Sequence, residues 1–388
     1  MKKCFWIVWV FCSLTSFSQP LRDINYKYLY NPEAPVSLQI RPVRGQSSFT
    51  ILYNLQVKDT ADLGRYSIEW ESRAMLSDKE SGGQVTLNDA VSSRTATGLQ
   101  GKGTLDLSTA PKYLVAKLIN NASRQAWIFY TNLEPDYPVN NYLTRSGFRV
   151  TESFVYTNDK VRLALDSEDW IISYYDDNFP AAAPVFSEAQ ARVARVMAVD
   201  SVYKVRGMEE VNFPMKGLFL IQKDTTALEG FSFRVEEDYP QYSKLANLSG
   251  PLIYITTRQE YDRLESAGTN KKAFDRVVLS ITTDTERARI LMRNYFRRVE
   301  LANRYFTSYK EGWKTDRGMV YIIFGIPDQV YKFSDREVWR YKNDQFDINF
   351  TFSRSNSLFD PDNYVLIREK KFESTWYEVI DLWRNARF

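Results

Sequence analysis

The segment that most constrains the fold of this 388-residue chain is GWKTDRG at residues 312–318, which precedes an apolar run at residues 319–324. Glycine adopts backbone conformations closed to other residues, so two glycines flanking a tryptophan indicate a tight turn. Thr315 and Asp316 are typical of local backbone caps. The apolar run is short, rich in β-branched and aromatic residues and ended by a glycine, which predicts a buried strand. We therefore expect a structural joint, with Trp313 anchoring the loop in the core.

The charged residues of this segment leave a second interpretation open, in which Asp316, Arg317 and Asp328 line a cleft. On that hypothesis the binding residues are the segment itself and the polar and aromatic positions that follow it, namely Gly312, Trp313, Thr315, Asp316, Arg317, Gly318, Asp328, Trp339 and Tyr341. Nothing among them is a nucleophile–base pair or a set of metal ligands. The sequence therefore predicts no catalytic residue, no cofactor and no metal.

These residues resemble the signature of the GWxTD domain-containing proteins of the bacterial envelope. The resemblance covers about residues 252–388 and rests on many positions in the same order, namely Gly312, Trp313, Thr315, Asp316, Arg317, Gly318, Gly325, Pro327 and Asp328, with Arg298, Ala302, Asn303, Phe306, Trp339, Tyr341, Trp383 and Arg384 around them. It implies an exported protein of a Bacteroidetes-type bacterium. The family has no established chemistry, so the resemblance implies a location more than a mechanism.

The first eighteen residues predict a secretory signal peptide. Lys2 and Lys3 precede an apolar run too short to span a bilayer, and residues 16–18 (SFS) form a small-x-small cleavage pattern. Cleavage would remove both cysteines of the chain, Cys4 and Cys12, and the bulky residue before Cys12 argues against a lipid anchor. We therefore expect a protein of the periplasm or associated with the outer membrane, not lipid-anchored and without an integral membrane segment after cleavage.

Composition excludes several classes of function. The chain contains no histidine, which rules out Ser-His-Asp, Cys-His and histidine–zinc chemistry. Its 51 basic and 48 acidic side chains nearly balance, which argues against the basic surface that nucleic acids require. An enzyme of this composition would have to use carboxylates, lysine or tyrosine.

Two β-rich regions and an α+β region are predicted along the chain. Short alternating runs between about residues 25 and 133 indicate a β-sandwich, either Ig-like or C2-like, and two prolines at 134–138 mark its end. A second, less regular β-rich region follows to about residue 256. The predicted fold is thus mainly β with a C-terminal α+β domain, divided into residues 1–18 (signal peptide), 19–138, 139–251 and 252–388.

Helices and a small antiparallel sheet are predicted in the last region. Thr283 and Glu286 form a capping box, and apolar residues then recur on one helical face as far as Phe306. Arg293, Arg297 and Arg304 lie on another face, which is either a docking stripe or a solvated surface. Strands are expected at 337–341 and 346–352, and a final helix at 375–385 with a second capping box of Thr375 and Glu378.

Three functions remain open from the sequence. The favoured hypothesis is a non-catalytic interaction or scaffold subunit of a cell-envelope complex (periplasmic or outer-membrane-associated), with a protein partner such as an outer-membrane protein; its oligomeric state is not predicted. A glycan-binding protein would stack sugars on Trp70, Trp127 and Trp170. A hydrolase would use two carboxylates from the acidic cluster Asp166, Glu168 and Asp169, and residues 360–363 (DPDN) offer oxygen ligands for calcium.

Overall fold

A computed structural model describes residues 19–58, 63–176, 178–188 and 196–388. The predicted signal peptide and both cysteines lie outside these residues. The fold is mainly β, with α-helices and a small antiparallel sheet in the C-terminal region. Among the described residues, no helix is both long enough and apolar enough to cross a membrane.

The N-terminal region is a sandwich of two antiparallel sheets. One sheet has the strand order β1-β2-β5-β4 and the other β3-β6-β7. Alternate side chains of both sheets face one core, among them Ile51 and Leu55 from the first and Leu114 and Leu118 from the second. The strands are β1 Val36–Arg44, β2 Ser48–Val57, β3 Tyr66–Arg73, β4 Asn88–Arg94, β5 Gly98–Asp106, β6 Tyr113–Asn120 and β7 Ala126–Asn132. This agrees with the sandwich predicted from alternation.

The middle region also packs two sheets on one core. Their orders are β10-β16-β15-β12-β13, in which only the β10–β16 pair is parallel, and β14-β11-β8-β9. Trp170 and Phe219 from the larger sheet and Leu163 from the smaller one share that core. The strands are β8 Leu143–Arg145, β9 Phe148–Arg149, β10 Phe154–Tyr156, β11 Lys160–Leu163, β12 Asp169–Tyr175, β13 Ser201–Arg206, β14 Glu210–Asn212, β15 Gly217–Gln222 and β16 Phe231–Glu236.

The C-terminal region packs five helices with one antiparallel sheet of order β17-β18-β19-β20. Trp339 and Phe350 of the sheet, and Tyr295 and Trp383 of the helices, are fully or almost fully buried in its core. The elements are α1 Arg258–Ala267, α2 Lys271–Thr282, α3 Thr285–Phe306, α4 Asp316–Phe324, β17 Gln329–Lys332, β18 Arg336–Lys342, β19 Asp347–Arg354, β20 Tyr364–Leu366 and α5 Glu373–Arg384.

The strand predicted at 319–324 is wrong, because these residues form helix α4. The Thr315 hydroxyl accepts a hydrogen bond from the backbone N–H of Gly318 at 2.9 Å and so caps the helix. The helix is buried on nearly every side, and a helix of that kind has no polar face to give a period of 3.6. A short apolar run cannot distinguish a buried helix from a buried strand by periodicity alone. Gly325 then ends the helix with a positive φ of 85°.

The two predicted capping boxes are also wrong in detail. Helix α3 is capped by Asp284, whose carboxylate accepts from the Arg287 N–H, while Thr283 ends α2 with a φ of 60°. Helix α5 continues directly from a 3-10 turn at Lys370–Phe372, so Thr375 lies inside the helix rather than before it. The apolar faces of both helices are as predicted, since Leu291, Tyr295, Val299, Ala302, Phe306, Trp376, Ile380 and Trp383 are buried.

The start of the described chain is tied to its end. The backbone N–H of Tyr26 donates to the Val330 carbonyl at 2.8 Å, and the Asn25 side chain accepts from the Val330 N–H at 3.0 Å. The Tyr321 hydroxyl donates to the Tyr30 carbonyl at 2.9 Å, although the two residues are 291 positions apart. Residues 24–30 therefore join the core of the C-terminal region. The domain boundaries at 138 and 251 stay predictions.

Candidate functional site

The 3-10 turn Gly312–Lys314 lies directly against the end of helix α3. A Cβ on Gly312 would come 2.2 Å from the Ala302 carbonyl oxygen, and a Cβ on Gly318 would come 1.9 Å from the Gly312 carbonyl oxygen. Such approaches are far below van der Waals contact, so both positions require glycine. We call residues 312–318, together with Asn303 and Arg368, the signature joint.

Asn303 fastens the turn to the rest of the molecule. Its side chain is fully buried, accepts a hydrogen bond from the Trp313 N–H at 2.9 Å and donates one to the Pro240 carbonyl at 2.9 Å. The Trp313 indole N–H donates to the Tyr242 hydroxyl at 2.9 Å, and the Tyr254 hydroxyl donates to the Trp313 carbonyl at 2.9 Å. Trp313 thus anchors the loop in the core, as the sequence predicts.

Asp316 forms a buried ion pair with Arg368. Their nearest atoms are 2.5 Å apart, and the side chains are 5% and 0% exposed. The same carboxylate accepts from the Leu366 N–H at 2.7 Å, and Arg368 also donates to the Ala183 carbonyl at 3.1 Å. Because each charge is matched and further hydrogen-bonded, the pair joins the first turn of α4 to β20 and to the middle region.

Arg317 points away from this pair into an aromatic cluster. Its guanidinium carbon lies 4.5 Å from the centre of the Tyr364 ring, and a terminal nitrogen lies 3.6 Å from the buried carboxylate of Glu337. Burial alone would lower the pKa of Arg317, but the neighbouring Tyr30 and Glu337 raise it above its usual value. Arg317 is therefore a fixed cation in the wall of the large cavity described below.

Trp339 and Tyr341 are structural members of strand β18. The Trp339 indole N–H donates to Glu337 at 2.6 Å, and the ring is fully buried. The Tyr341 hydroxyl donates to the Gly325 carbonyl at 2.9 Å and closes the C-terminus of α4. Asp328 is exposed and accepts from the Lys342 N–H at 2.8 Å, which fixes the turn before β17. Of the three residues of the cleft hypothesis, only Arg317 lines the large cavity.

A second charged cluster beside the signature was not predicted. Glu311 is buried and lies 3.0 Å from Lys314, 3.6 Å from Arg234 and 3.8 Å from Lys216. Burial would raise the pKa of Glu311, but Arg234 and Lys314 lower it to about 2. Glu311 and Lys314 flank the turn in sequence, whereas Arg234 is distant in sequence and its role could be found only in three dimensions.

The residues nominated for other functions are engaged in the fold. Trp70, Trp127 and Trp170 are only 7%, 6% and 2% exposed, so they cannot stack on a sugar. Asp166 and Glu168 both pair with Lys223. In the loop proposed for calcium, Asp360 is buried and Asp362 pairs with Arg354 at 3.1 Å. Across the described ranges, no group of three or more acidic, cysteine or histidine residues could hold a metal ion.

The basic stripe predicted on α3 is a largely solvated surface. Arg293 is exposed, and both Arg297 and Arg304 pair with Glu300, at 3.1 and 3.0 Å. Elsewhere on the helix, Arg298 donates to the Ile322 and Ile323 carbonyls at the end of α4 and lies 4.6 Å from the Trp383 ring centre. The supporting positions of the signature therefore also serve helix packing.

Comparison with known proteins identifies one domain family. No curated protein matches the chain. Among solved structures, it is similar to one described as the anomalous substructure of titin A168169, at 11% identity over 52% of this chain and 98% of that one; the TM-score of 0.18 carries no argument about fold. Residues 217–385 match the GWxTD domain family, a range that takes in β15, β16 and Arg234 as well as the signature. Residues 217–385 therefore belong to the GWxTD domain family.

Proposed function

We propose that this protein is a non-catalytic, exported interaction subunit of a complex in the bacterial cell envelope. The observation that carries the proposal is a run of exposed apolar side chains in the middle region. Val199, Val202, Met208, Met215 and Leu228 are between 45% and 67% exposed, and all lie within residues 199–228. Exposed apolar side chains that lie close together are typical of surfaces that contact other proteins, and Val202 and Met208 lie on β13 and in the turn directly after it.

Strand β13 adds a second feature of a contact surface. It is the last strand of its sheet among the described strands, paired only with β12, and Val202 on it is 56% exposed. An edge strand offers unpaired backbone groups on which another chain can add a strand. The partner we propose is therefore a protein of the envelope, such as an outer-membrane protein, that covers β13 and the turn that follows it.

The absence of histidine and the ion pairs formed by the charged residues of the signature joint support a role without catalysis. Asp316 is matched by Arg368, Arg317 by Glu337, and Lys314 by Glu311. Charges committed to partners in this way hold the fold together and are poorly placed to act on a substrate. Export and location in the periplasm or at the outer membrane are proposed from the N-terminal eighteen residues and the family resemblance.

The proposal can be tested by site-specific photo-crosslinking in native envelopes. A photoreactive residue is placed at Val202 or Met208, and a matched control is placed at Met75, which is 59% exposed on the N-terminal sandwich. We expect one partner to crosslink at both test positions and not at the control. The substitution Val202→Glu should then abolish co-purification of that partner, whereas Met75→Glu should not. Absence of a crosslink at both positions, or co-purification unaffected by Val202→Glu, would contradict the proposal.

A further inference from the structure

A cavity of about 700 Å³ lies where the three regions of the protein meet. Its walls include Arg41 of β1, Arg149 of β9, Tyr305 of α3 and Asp360 in the loop before β20. Ligand pockets in proteins commonly enclose about 300–1,000 Å³. We call this space the central cavity; it is large enough for a small organic molecule.

The charges that line the central cavity are not balanced. Seven of the lining residues are basic and three are acidic. Four of the basic side chains have a carboxylate partner, namely Arg304, Arg317, Lys332 and Arg354, at 3.0, 3.6, 3.9 and 3.1 Å. The other three, Arg41, Arg44 and Arg149, form no ion pair with a described residue. The cavity therefore holds an excess of positive charge.

Arg41 and Arg149 are the two cations that matter most, because both line the cavity, one from β1 and the other from β9. A terminal nitrogen of Arg149 is buried and has no hydrogen-bond partner among the described residues. Burial and the charge of Arg41 lower the pKa of Arg149 to about 10, and burial also lowers the pKa of Arg41. Glu152 offsets part of both charges, and Asp362 part of that of Arg41, but neither carboxylate forms an ion pair with either arginine. Two neighbouring like charges oppose folding, and a bound anion would relieve that repulsion.

The remaining wall suits an apolar body. Ile40, Phe49, Phe154, Phe231 and Phe359 line the same space, and the Arg41 guanidinium lies 5.9 Å from the centre of the Phe231 ring. Pockets of this composition hold a ligand by apolar contact and orient it with a few polar groups. Guanidinium groups bind carboxylate and phosphate oxygens in pairs of parallel hydrogen bonds.

We propose that the central cavity binds a small molecule with an apolar or aromatic body, whose phosphate or carboxylate group sits between Arg41 and Arg149. This site is independent of the protein-contact surface on β13, and neither proposal requires the other. Arg41 comes from the N-terminal sandwich and Arg149 from the middle region, so a bound oxyanion would also bridge these two regions.

The test is direct binding of simple probes to the full exported chain by calorimetry. The probes are phenyl phosphate, benzoate, inorganic phosphate and phenol, which separate the oxyanion from the ring. We expect phenyl phosphate or benzoate to bind more tightly than inorganic phosphate, and phenol not to bind measurably. Arg41→Gln and Arg149→Gln should each weaken binding roughly tenfold to hundredfold, because a charge-assisted hydrogen bond is lost.

The matched control is Arg289→Gln, which removes the same charge from an exposed position on α3 where Arg289 pairs only with Glu286. It should bind the probes as the unmodified protein does. Thermal unfolding without probe shows that the variants fold, and Arg149→Gln should not lower the melting temperature. Failure of phenyl phosphate, benzoate and phosphate all to bind at millimolar concentration would overturn the proposal. Equal binding by the double variant Arg41→Gln/Arg149→Gln would also overturn it.

Discussion

Arg368 in the signature joint and Arg149 in the central cavity are both buried or partly buried arginines, but they are in opposite electrostatic situations. Arg368 contacts a carboxylate at 2.5 Å and donates to two backbone carbonyls. Arg149 forms no ion pair with a described residue, and its charge is opposed by that of Arg41. Each of the two arginines keeps one buried nitrogen without a hydrogen-bond partner, so the ion pair is what distinguishes them. The contrast separates two uses of charge. The charge of Arg368 is matched within the protein and holds the fold, whereas we propose that the charge of Arg149 is available to a bound anion.

The largest loss of stability is expected from Gly318→Ala, which adds a Cβ at the closest backbone approach in the joint. The new Cβ would lie 1.9 Å from the Gly312 carbonyl oxygen, so the start of α4 must move away from the turn. We expect a loss of about 4 kcal/mol or more in the free energy of unfolding, measured by urea denaturation. The matched control is Gly64→Ala, where no atom lies within 4 Å of the added Cβ. Similar stability of the two variants would show that the joint is not tightly packed.

A smaller loss is expected from Asn303→Ala, which removes hydrogen bonds without removing a charge. The Trp313 N–H and the Pro240 carbonyl would both lose their partner in a buried site. We expect a loss of about 2–3 kcal/mol, since a buried polar group left unsatisfied costs its desolvation. Asn385→Ala at the exposed end of α5 is the control and should change stability by less than about 0.5 kcal/mol. If Asn303→Ala is as stable as the control variant, Asn303 does not hold the turn in place.

Asp360, which lines the central cavity, provides a pH-dependent test of the charges there. Burial and the neighbouring Asp362 raise its pKa to about 7, while Arg317, the Asp362 N–H and Ser308 act in the opposite direction. A raised pKa means that the folded protein favours the protonated form. The stability this gives is complete below about pH 4 and is lost as the pH rises through about 7.

Asp360→Asn should therefore remove a decline in stability that the unmodified protein shows as the pH rises. We expect the difference between the two proteins to be on the order of 1–3 kcal/mol across about pH 5 to pH 8, with the variant the more stable at the higher pH. Urea denaturation at several pH values measures this difference. Parallel pH profiles for the two proteins would contradict the assignment of Asp360 as a buried, protonated carboxyl group.

Much of the fold could be predicted from the sequence, because its strands alternate and its long helix has a clear apolar face. The run 319–324 could not, since a helix buried on nearly every side lacks the period that identifies a helix. The anchoring role of Trp313 followed from its setting between two glycines. The partners that complete the joint, Arg368 and Tyr242, are far away in sequence and carry no local signal.

The central cavity could not be predicted at all. Arg41 and Arg149 are ordinary residues of strands that the alternation does not distinguish, and only the packing of two regions brings them together. The segment before β1 is similar, because Asn25 and Tyr30 form hydrogen bonds with residues about 300 positions later in the chain. Long-range pairs of this kind are consequences of tertiary structure and leave no pattern in a single sequence.

The central claim is that Arg368 uses its charge to hold the fold and that Arg149 does not, and one pair of variants tests it directly. Arg368→Gln and Arg149→Gln make the same chemical change, and urea denaturation measures both. Arg368→Gln leaves Asp316 as a buried, unpaired charge and should cost about 3–5 kcal/mol. Arg149→Gln removes a charge that forms no ion pair with a described residue and that Arg41 opposes, and it should be neutral or stabilising. Equal destabilisation by both variants would contradict the account.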